Sequence, residues 1–410
     1  MKIVHVAPAY HPVVGGAEYH VQKLSEQLVK MGHDVRVVTT NVGSVHGYFN
    51  FDVPSVKNAP SAVHGIDVQR ISYGAGVLRK FGSFLESIPW EHARIVLVGR
   101  LWFWMQRHLE KKLELFIHAW NPDLLMAMPH LLPNVTAAIV VANRTRKPLV
   151  LLPLLHERDP HWDRPQHVKA LRNTDAVVAN TNSEREQLIK YYGVDEKKVF
   201  TGWLGVDVDH DFAPRKARSG RKILFLGRQS KTKNIDQLIL AMQIVWQRID
   251  DAELIIAGAE DDGTVQIGNM IGSLSPKHGM NVDLLCDVAE AVKNELLATS
   301  TCLVLPSAVE SFGIVLLEAW SFKTPVITLD LPVFRDIVTH GEDGYLVNPG
   351  NPHDLASAIV ALLGDEELAR KMGESGFRQL DTKFQWSQVA ERYLQAYQYA
   401  IRAKNKTIGA

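Results

Sequence analysis

The sequence predicts an α/β protein with two doubly wound parallel sheets, and three observations carry that prediction. Short β-branched apolar runs recur along the chain, and several are followed by segments whose apolar residues are spaced at three and four. The alternation begins at Lys2 and begins afresh at Lys222, where KILFLG repeats the apolar-strand-then-glycine pattern of the amino terminus. At 410 residues the chain is long enough for two or three domains of about 150 residues, each with its own core.

Lys2 to Ala7 reads as the first strand and Val35 to Thr40 as the second. Between them Val21, Leu24, Leu28 and Met31 mark one face of a helix that Gly32 ends. Further strands are expected at Leu124 to Met128, Leu149 to Leu152 and Ala176 to Asn180, the last followed by a helix that Ser183 caps and that ends near Gly193. After the restart at Lys222 to Leu226, strands are expected at Glu253 to Ala257, Cys302 to Pro306, Pro325 to Leu329 and Tyr345 to Val347. Helices are expected at Ile235 to Ile249, Ile314 to Phe322 and Pro352 to Leu363. Asp207 to Gly220 is polar, basic and proline-containing, as a linker should be. The predicted domains are therefore 1–205 and 206–385, followed by a helix at 386–402 with apolar positions Val389, Tyr393, Ala396, Tyr397 and Ile401.

Composition excludes several classes of function. Lys plus Arg and Asp plus Glu are 45 each, so no global field draws in a polyanion, and a dedicated nucleic-acid binder is not expected. Hydrophobic residues at 46% and charged residues at 22% exclude a disordered or fibrous chain. Two cysteines, Cys286 and Cys302, supply neither a disulfide framework nor a thiolate metal cluster, which suits a reducing cytoplasm. MKIVHVAPAY meets Pro8 before an apolar signal region forms, and no run approaches about 18 uncharged apolar residues. A cytoplasmic protein is expected, neither secreted by that route nor membrane-spanning.

The common cofactor fingerprints fail. No G-x-G-x-x-G follows a strand, and GAEDDGT at Gly258 to Thr264 has Thr264 where a phosphate-binding loop needs lysine. HERDPH at His156 to His161 spaces its histidines by five and contains Pro160, so it is no zinc helix. DVDHD at Asp207 to Asp211 holds two D-x-D triplets, which could chelate a cation against a diphosphate; its position at the head of the basic linker favours turn-forming aspartates.

One constellation remains. GRQSKTKN puts Arg228 and Lys233 just beyond the carboxyl end of a buried strand, where open α/β sheets bind ligands. LPSAVESFGIVLLEAW leads from another strand into a helix whose start, at Phe312 and Gly313, offers unpaired backbone N–H groups and a dipole suited to an anion. Glu318 lies in the apolar run Ile314 to Ala319, and a carboxylate packed there needs a hydrogen-bond partner. A ribose diol would serve, and so would an internal salt bridge. Taken singly, the cations read as a solvated turn; taken together, these features suit one nucleoside diphosphate.

At these residues the chain resembles a known family. ESFGIVLLEA, with Glu310 and Glu318 separated by seven residues, resembles the E-x7-E signature of the family 4 retaining glycosyltransferases (glycosyl transferase group 1). GRQSKTKN resembles the family's Gly-Arg and downstream Lys element, GGAEYHVQKLSEQLVKMGHDVRVVT its Gly-Gly-x-Glu loop and helix, Gly205 to Asp207 its interdomain element, and GEDGYLVNPGNPHDLASAI the segment after the signature. The resemblance implies the GT-B fold, with two Rossmann-like domains facing across a cleft and a C-terminal helix crossing back to the first. It implies that Arg228 and Lys233 bind the diphosphate and that Glu318 takes the ribose hydroxyls. Glu310 would hold donor-sugar hydroxyls, with the backbone of Phe312, Gly313, Ile314 and Val315 completing the site. Gly15 and Gly16 would let the first domain approach the donor, and His156 resembles the family histidine near the anomeric centre.

The function so implied is transfer of a sugar from a nucleoside diphosphate sugar to an acceptor hydroxyl with retention, in polysaccharide, glycolipid or other glycoconjugate synthesis. No metal and no cofactor is expected, since the nucleotide sugar is a substrate. Another GT-B enzyme, such as a nucleotide-sugar epimerase or sugar phosphorylase, and a non-catalytic nucleotide-sugar scaffold are the alternatives. Arg79 to Lys112 has seven basic residues against three acidic ones, a net +4, with Trp90, Trp102, Phe103 and Trp104. It reads either as an amphipathic helix lying on an anionic membrane, which would make the protein peripheral and suit a lipid-linked acceptor, or as a core helix along the stripe Ile95, Val98, Trp102, Met105, Leu109 and Leu113.

Overall fold

The amino-terminal apolar run forms β1 (Lys2–Val6), whose last four residues are buried. In the computed structural model the described residues are 1–13, 15–43, 56, 59–73, 91–129, 132–156, 163–208 and 220–409, without the side chains of 91–102 and 407–409. The chain divides into two units: Met1–Asn180, Glu184–Trp203 and Trp386–Ala410 form the first, and Thr181–Ser183 with Leu204–Gln385 the second. In the first unit, β1 is joined by β2 (Asp34–Thr40), β3 (Ala62–Val63), β4 (Ile66–Ile71), β5 (Leu124–Ala127), β6 (Leu149–Leu151), β7 (Ala176–Ala179) and β8 (Val199–Thr201). The sheet order is β3-β4-β2-β1-β5-β6-β7-β8, and only β3 and β4 pair antiparallel. Strands β5, β6 and β7 are buried at every residue, which is why they read as unbroken apolar runs rather than alternating ones. The connecting helices are α1 (Gly16–Lys30), α2 (Glu91–Trp120), α3 (Pro133–Thr145), α4 (Pro165–Asn173) and α5 (Asn182–Lys190).

Ser183 does not cap α5 as expected. It lies inside the helix with its Oγ 2.9 Å from Thr181 Oγ1, and the side chain that reaches back is Glu184, whose carboxylate takes the N–H of Asn180, just ahead of the helix, at 2.6 Å. A longer acidic side chain reaches back past the first turn where a serine hydroxyl finds a nearer hydroxyl instead.

The second unit is all parallel: β9 (Lys222–Leu226), β10 (Glu253–Gly258), β11 (Val282–Cys286), β12 (Cys302–Leu305), β13 (Val326–Leu329) and β14 (Gly344–Val347), in the order β11-β10-β9-β12-β13-β14. Its helices include α6 (Ile235–Val245), α7 (Thr264–Gly272), α8 (Glu290–Thr299), α9 (Ile314–Ser321), α10 (Pro352–Gly364) and α11 (Glu366–Lys383). The strand order reverses between β9 and β12, so the loops after these two strands diverge at a topological switch point. Of the predicted linker, 209–219 lies outside the described residues, as does the second D-x-D triplet.

After Gln385 the chain rejoins the first unit as α12 (Trp386–Gly409). Val389, Tyr393, Ala396 and Tyr397 are fully buried, at the spacing the sequence showed. Tyr397 OH lies 3.0 Å from His5 Nε2, whose Nδ1 is 2.7 Å from Ser25 Oγ, and Tyr393 OH lies 2.9 Å from His20 Nε2. Burial pushes both imidazoles down to about 3, so each is neutral in the fold and offers one donor and one acceptor nitrogen.

Candidate active site

Three loops at the carboxyl edge of the second sheet are laced by backbone hydrogen bonds. Gln229 N–H donates to Ala259 O (2.9 Å), Gly263 N–H to Gln229 O (3.0 Å) and Ala308 N–H to Thr232 O (3.1 Å), joining the loops after β9, β10 and β12. Gly258, at φ +142°, allows the closest approach: a Cβ there would lie 2.0 Å from the Gly227 carbonyl oxygen. The laced loops bring two predicted residues into contact across 77 positions of sequence, because the Lys233 ammonium pairs with the Glu310 carboxylate. Their side chains are only 15% and 14% exposed, so the pair is largely withdrawn from water.

Arg228 lies on the same loop, 64% exposed, with Nη1 3.2 Å from Asp261 Oδ2. Exposed pairs of this kind stabilise by about 1 kcal/mol or less, so an incoming anion displaces Asp261 at small cost. Asp261 escaped sequence reading because its partner lies on a neighbouring strand's loop.

Helix α9 starts at Gly313, whose φ of +87° places it in the left-handed region; a Cβ there would also lie 3.0 Å from Phe334 Cε1. Phe312 is buried, its ring edge-on to Phe384 at 6.1 Å. Ile314 and Val315, both half-buried, make the first turn, whose N–H groups have no partner within the helix. Glu318 is half-buried rather than enclosed, and its partner is a residue the sequence did not single out: Lys293 Nζ, on α8, lies 2.8 Å from Glu318 Oε1 and 2.9 Å from Glu290 Oε1. Burial pulls the Lys293 ammonium down, but Glu318 and Glu290 outweigh it and hold its pKa above the usual lysine value. An internal salt bridge thus meets the carboxylate's demand, and the ribose is not required to satisfy it.

The predicted residues of the first unit occupy the carboxyl edge of its own sheet. Gly15 is the N-cap of α1 and Gly16 its first residue, with the Glu18 carboxylate lying over Gly15. His156 is half-buried, five residues beyond β6; the rest of the HERDPH segment, 157–161, lies outside the described residues. Among the described residues no group of three or more His, Cys, Asp or Glu side chains is arranged to hold a metal ion.

Helix α2 carries a buried stripe and, off it, exposed apolar side chains. Met105, Leu109 and Leu113 are buried and form its core stripe, whereas Phe103 and Trp104 lie off that stripe, 63% and 55% exposed, with Leu115 also exposed. The side chains of Ile95, Val98, Arg100 and Trp102, and all of 79–90, lie outside the described residues. Among the described residues no helix is long and apolar enough to cross a membrane.

Comparison with known proteins identifies the family and the fold. Residues 14–210 match the family described as Glycosyltransferase Family 4, and residues 208–379 the family Glycosyl transferases group 1. The phosphatidyl-myo-inositol mannosyltransferase of Mycobacterium leprae is 28% identical over 99% of both chains. Among solved structures, the sucrose-phosphate synthase of Thermosynechococcus elongatus superposes with a TM-score of 0.74, at 18% identity, over 98% of this chain and 100% of its own. The Anabaena protein HepE in complex with UDP and glucose does so with a TM-score of 0.70, at 18% identity, over 96% and 98%. At these identities the structural likeness establishes the fold, which is GT-B, and together with the two family matches that cover most of the sequence it places this chain in the family 4 glycosyltransferases.

Proposed function

We propose that this glycosyltransferase moves a hexosyl group from a nucleoside diphosphate sugar to an acceptor hydroxyl with retention at the anomeric carbon. The observation that carries the reading is the Lys233–Glu310 pair at the switch point of the second sheet, beside Arg228 and the glycine start of α9. As the glycosidic bond breaks, negative charge grows on the diphosphate; Lys233, Arg228 and the first-turn amides of α9 receive it. Glu310, held against Lys233, takes hydroxyls of the donor sugar. Lys293 fixes Glu318 through Oε1, and Oε2 is the oxygen we assign to the ribose diol. Gly15 and Gly16 admit the donor to the first unit's loop, and His156 serves near the anomeric centre. With two cations and a helix start on the diphosphate, no divalent ion is assigned a task.

The acceptor reading is supported by helix α2. Phe103, Trp104 and Leu115, with exposed Lys111 and Lys112 beside them, suit an anionic membrane surface, and the M. leprae relative is named for a lipid acceptor. That face supports peripheral attachment and a lipid-linked acceptor, with a sugar or other hydroxyl acceptor as the alternative.

Thermal shift with UDP, GDP and ADP, each with and without EDTA, tests the donor reading. One nucleotide at about 100 times its dissociation constant should stabilise the protein by about 2.7 kcal/mol, with EDTA leaving the shift unchanged. If no nucleoside diphosphate stabilises it, the donor reading fails. A shift that vanishes with EDTA and returns with manganese instead assigns the diphosphate charge to a metal.

A further inference from the structure

The turn leading to His156 is held by a residue that the donor reading does not use. Leu154 stands at φ +56°, a left-handed conformation that a bulky side chain adopts only when its surroundings enforce it. The enforcement falls on the next residue. Leu155 N–H donates to Glu184 Oε1 at 2.7 Å, while Asn180 N–H, from the loop after β7, donates to Oε2 at 2.6 Å. Glu184 is 5% exposed, so both bonds are made away from water, where hydrogen bonds to a charged acceptor are strong. One carboxylate therefore ties together the loops after two adjacent strands, and the residue following the tied amide is His156.

We infer that Glu184 is a positioning residue for His156: by accepting both amides it fixes the Leu154–Leu155 turn and so fixes where the imidazole stands at the strand end. The inference rests on the reading of His156 as a site residue. The choice of side chain supports it. Burial pushes the Glu184 carboxyl up to about 7, against the pull of its two backbone donors, so the charged form is held at a cost in the fold. A glutamine in its place would be neutral, but it has one acceptor oxygen and would turn its NH2 toward the other amide. Only the carboxylate accepts both.

The test compares E184Q, H156A and the double variant at pH 8, following nucleotide release from UDP-glucose or GDP-mannose, whichever donor the protein turns over. E184Q should lower kcat tenfold or more, with the donor KM within threefold and the melting temperature no more than 3 °C below the parent's. The double variant should be no slower than H156A alone. If E184Q keeps kcat within threefold, or if its loss multiplies that of H156A, Glu184 does not act through His156 and the inference is overturned. If H156A itself turns over like the parent, the reading of His156 falls first and takes the inference with it. Should E184Q fail to fold, E184D, which draws the carboxylate back from both amides, enters the same comparison. Hydrogen exchange in a peptide covering 151–156 should then rise at least tenfold, and protection equal to the parent's would also overturn the inference.

Discussion

Lys233 and Glu310 meet because Ala308 donates to Thr232 and pins one loop to the other, so the ammonium is positioned before any ligand arrives. That preorganisation sets the size of its effect. Lys233→Ala should lower kcat about 100-fold or more while the melting temperature stays near the parent's, since in the proposed mechanism the group acts on charge that develops in the transition state. Turnover within threefold of the parent would remove the lysine from the mechanism. The buried titratable residues give a second test, with opposite signs. His5 and His20, neutral to about 3 in the fold, accept protons near 6.5 once unfolded, so stability is lost as pH falls below about 6.5, by roughly 2 kcal/mol each at pH 5. Glu184, raised to about 7, does the reverse: the unfolded chain releases its proton near 4.5, and stability falls as pH rises from there to about 7, by roughly 3 kcal/mol. Urea midpoints of E184Q minus parent should therefore climb in the variant's favour between pH 4.5 and 7 and level off above. A difference independent of pH would mean that Glu184 is not buried as described.

Strands of the parallel sheets were legible because burial on both faces leaves unbroken apolar runs, and β1, β9 and β12 stand within a residue of where the sequence put them. Those that escaped lack this signature. Strand β4 alternates buried and exposed residues at the outer part of its sheet, and β11 is an edge strand with no fully buried residue. Helix α2 shows the limit of periodicity, because one element carries a core stripe and an exposed aromatic pair at once, and spacing reports only the stripe. The exposed pair makes its own prediction. The parent should sediment with vesicles containing anionic lipid but not with neutral ones, and less so at high salt, each nearby lysine contributing on the order of 1 kcal/mol. F103A with W104A should release it without lowering its melting temperature, because neither side chain is in the core. A parent that ignores anionic vesicles leaves no role for the membrane at this helix.

Across the whole molecule, the candidate residues that the sequence could name sit within one loop, as Arg228 and Lys233 do, or at one helix start, as Gly313 does. Their contact partners could not be named, since Lys293, Asp261 and Glu184 meet residues 25 to 33 positions away that the strand order brings close. A charge-balanced chain with two α/β units leaves these local fields, rather than net charge, to recruit the anionic donor we propose. The central claim is retaining transfer from a nucleoside diphosphate sugar, and the most direct measurement is product stereochemistry. The donor that stabilises the protein is incubated with candidate hydroxyl acceptors, and the products are followed by proton NMR. The account predicts release of the nucleoside diphosphate in step with a new glycoside whose anomeric configuration matches the donor's. An inverted glycoside, a released sugar 1-phosphate or an epimerised sugar without acceptor would contradict it.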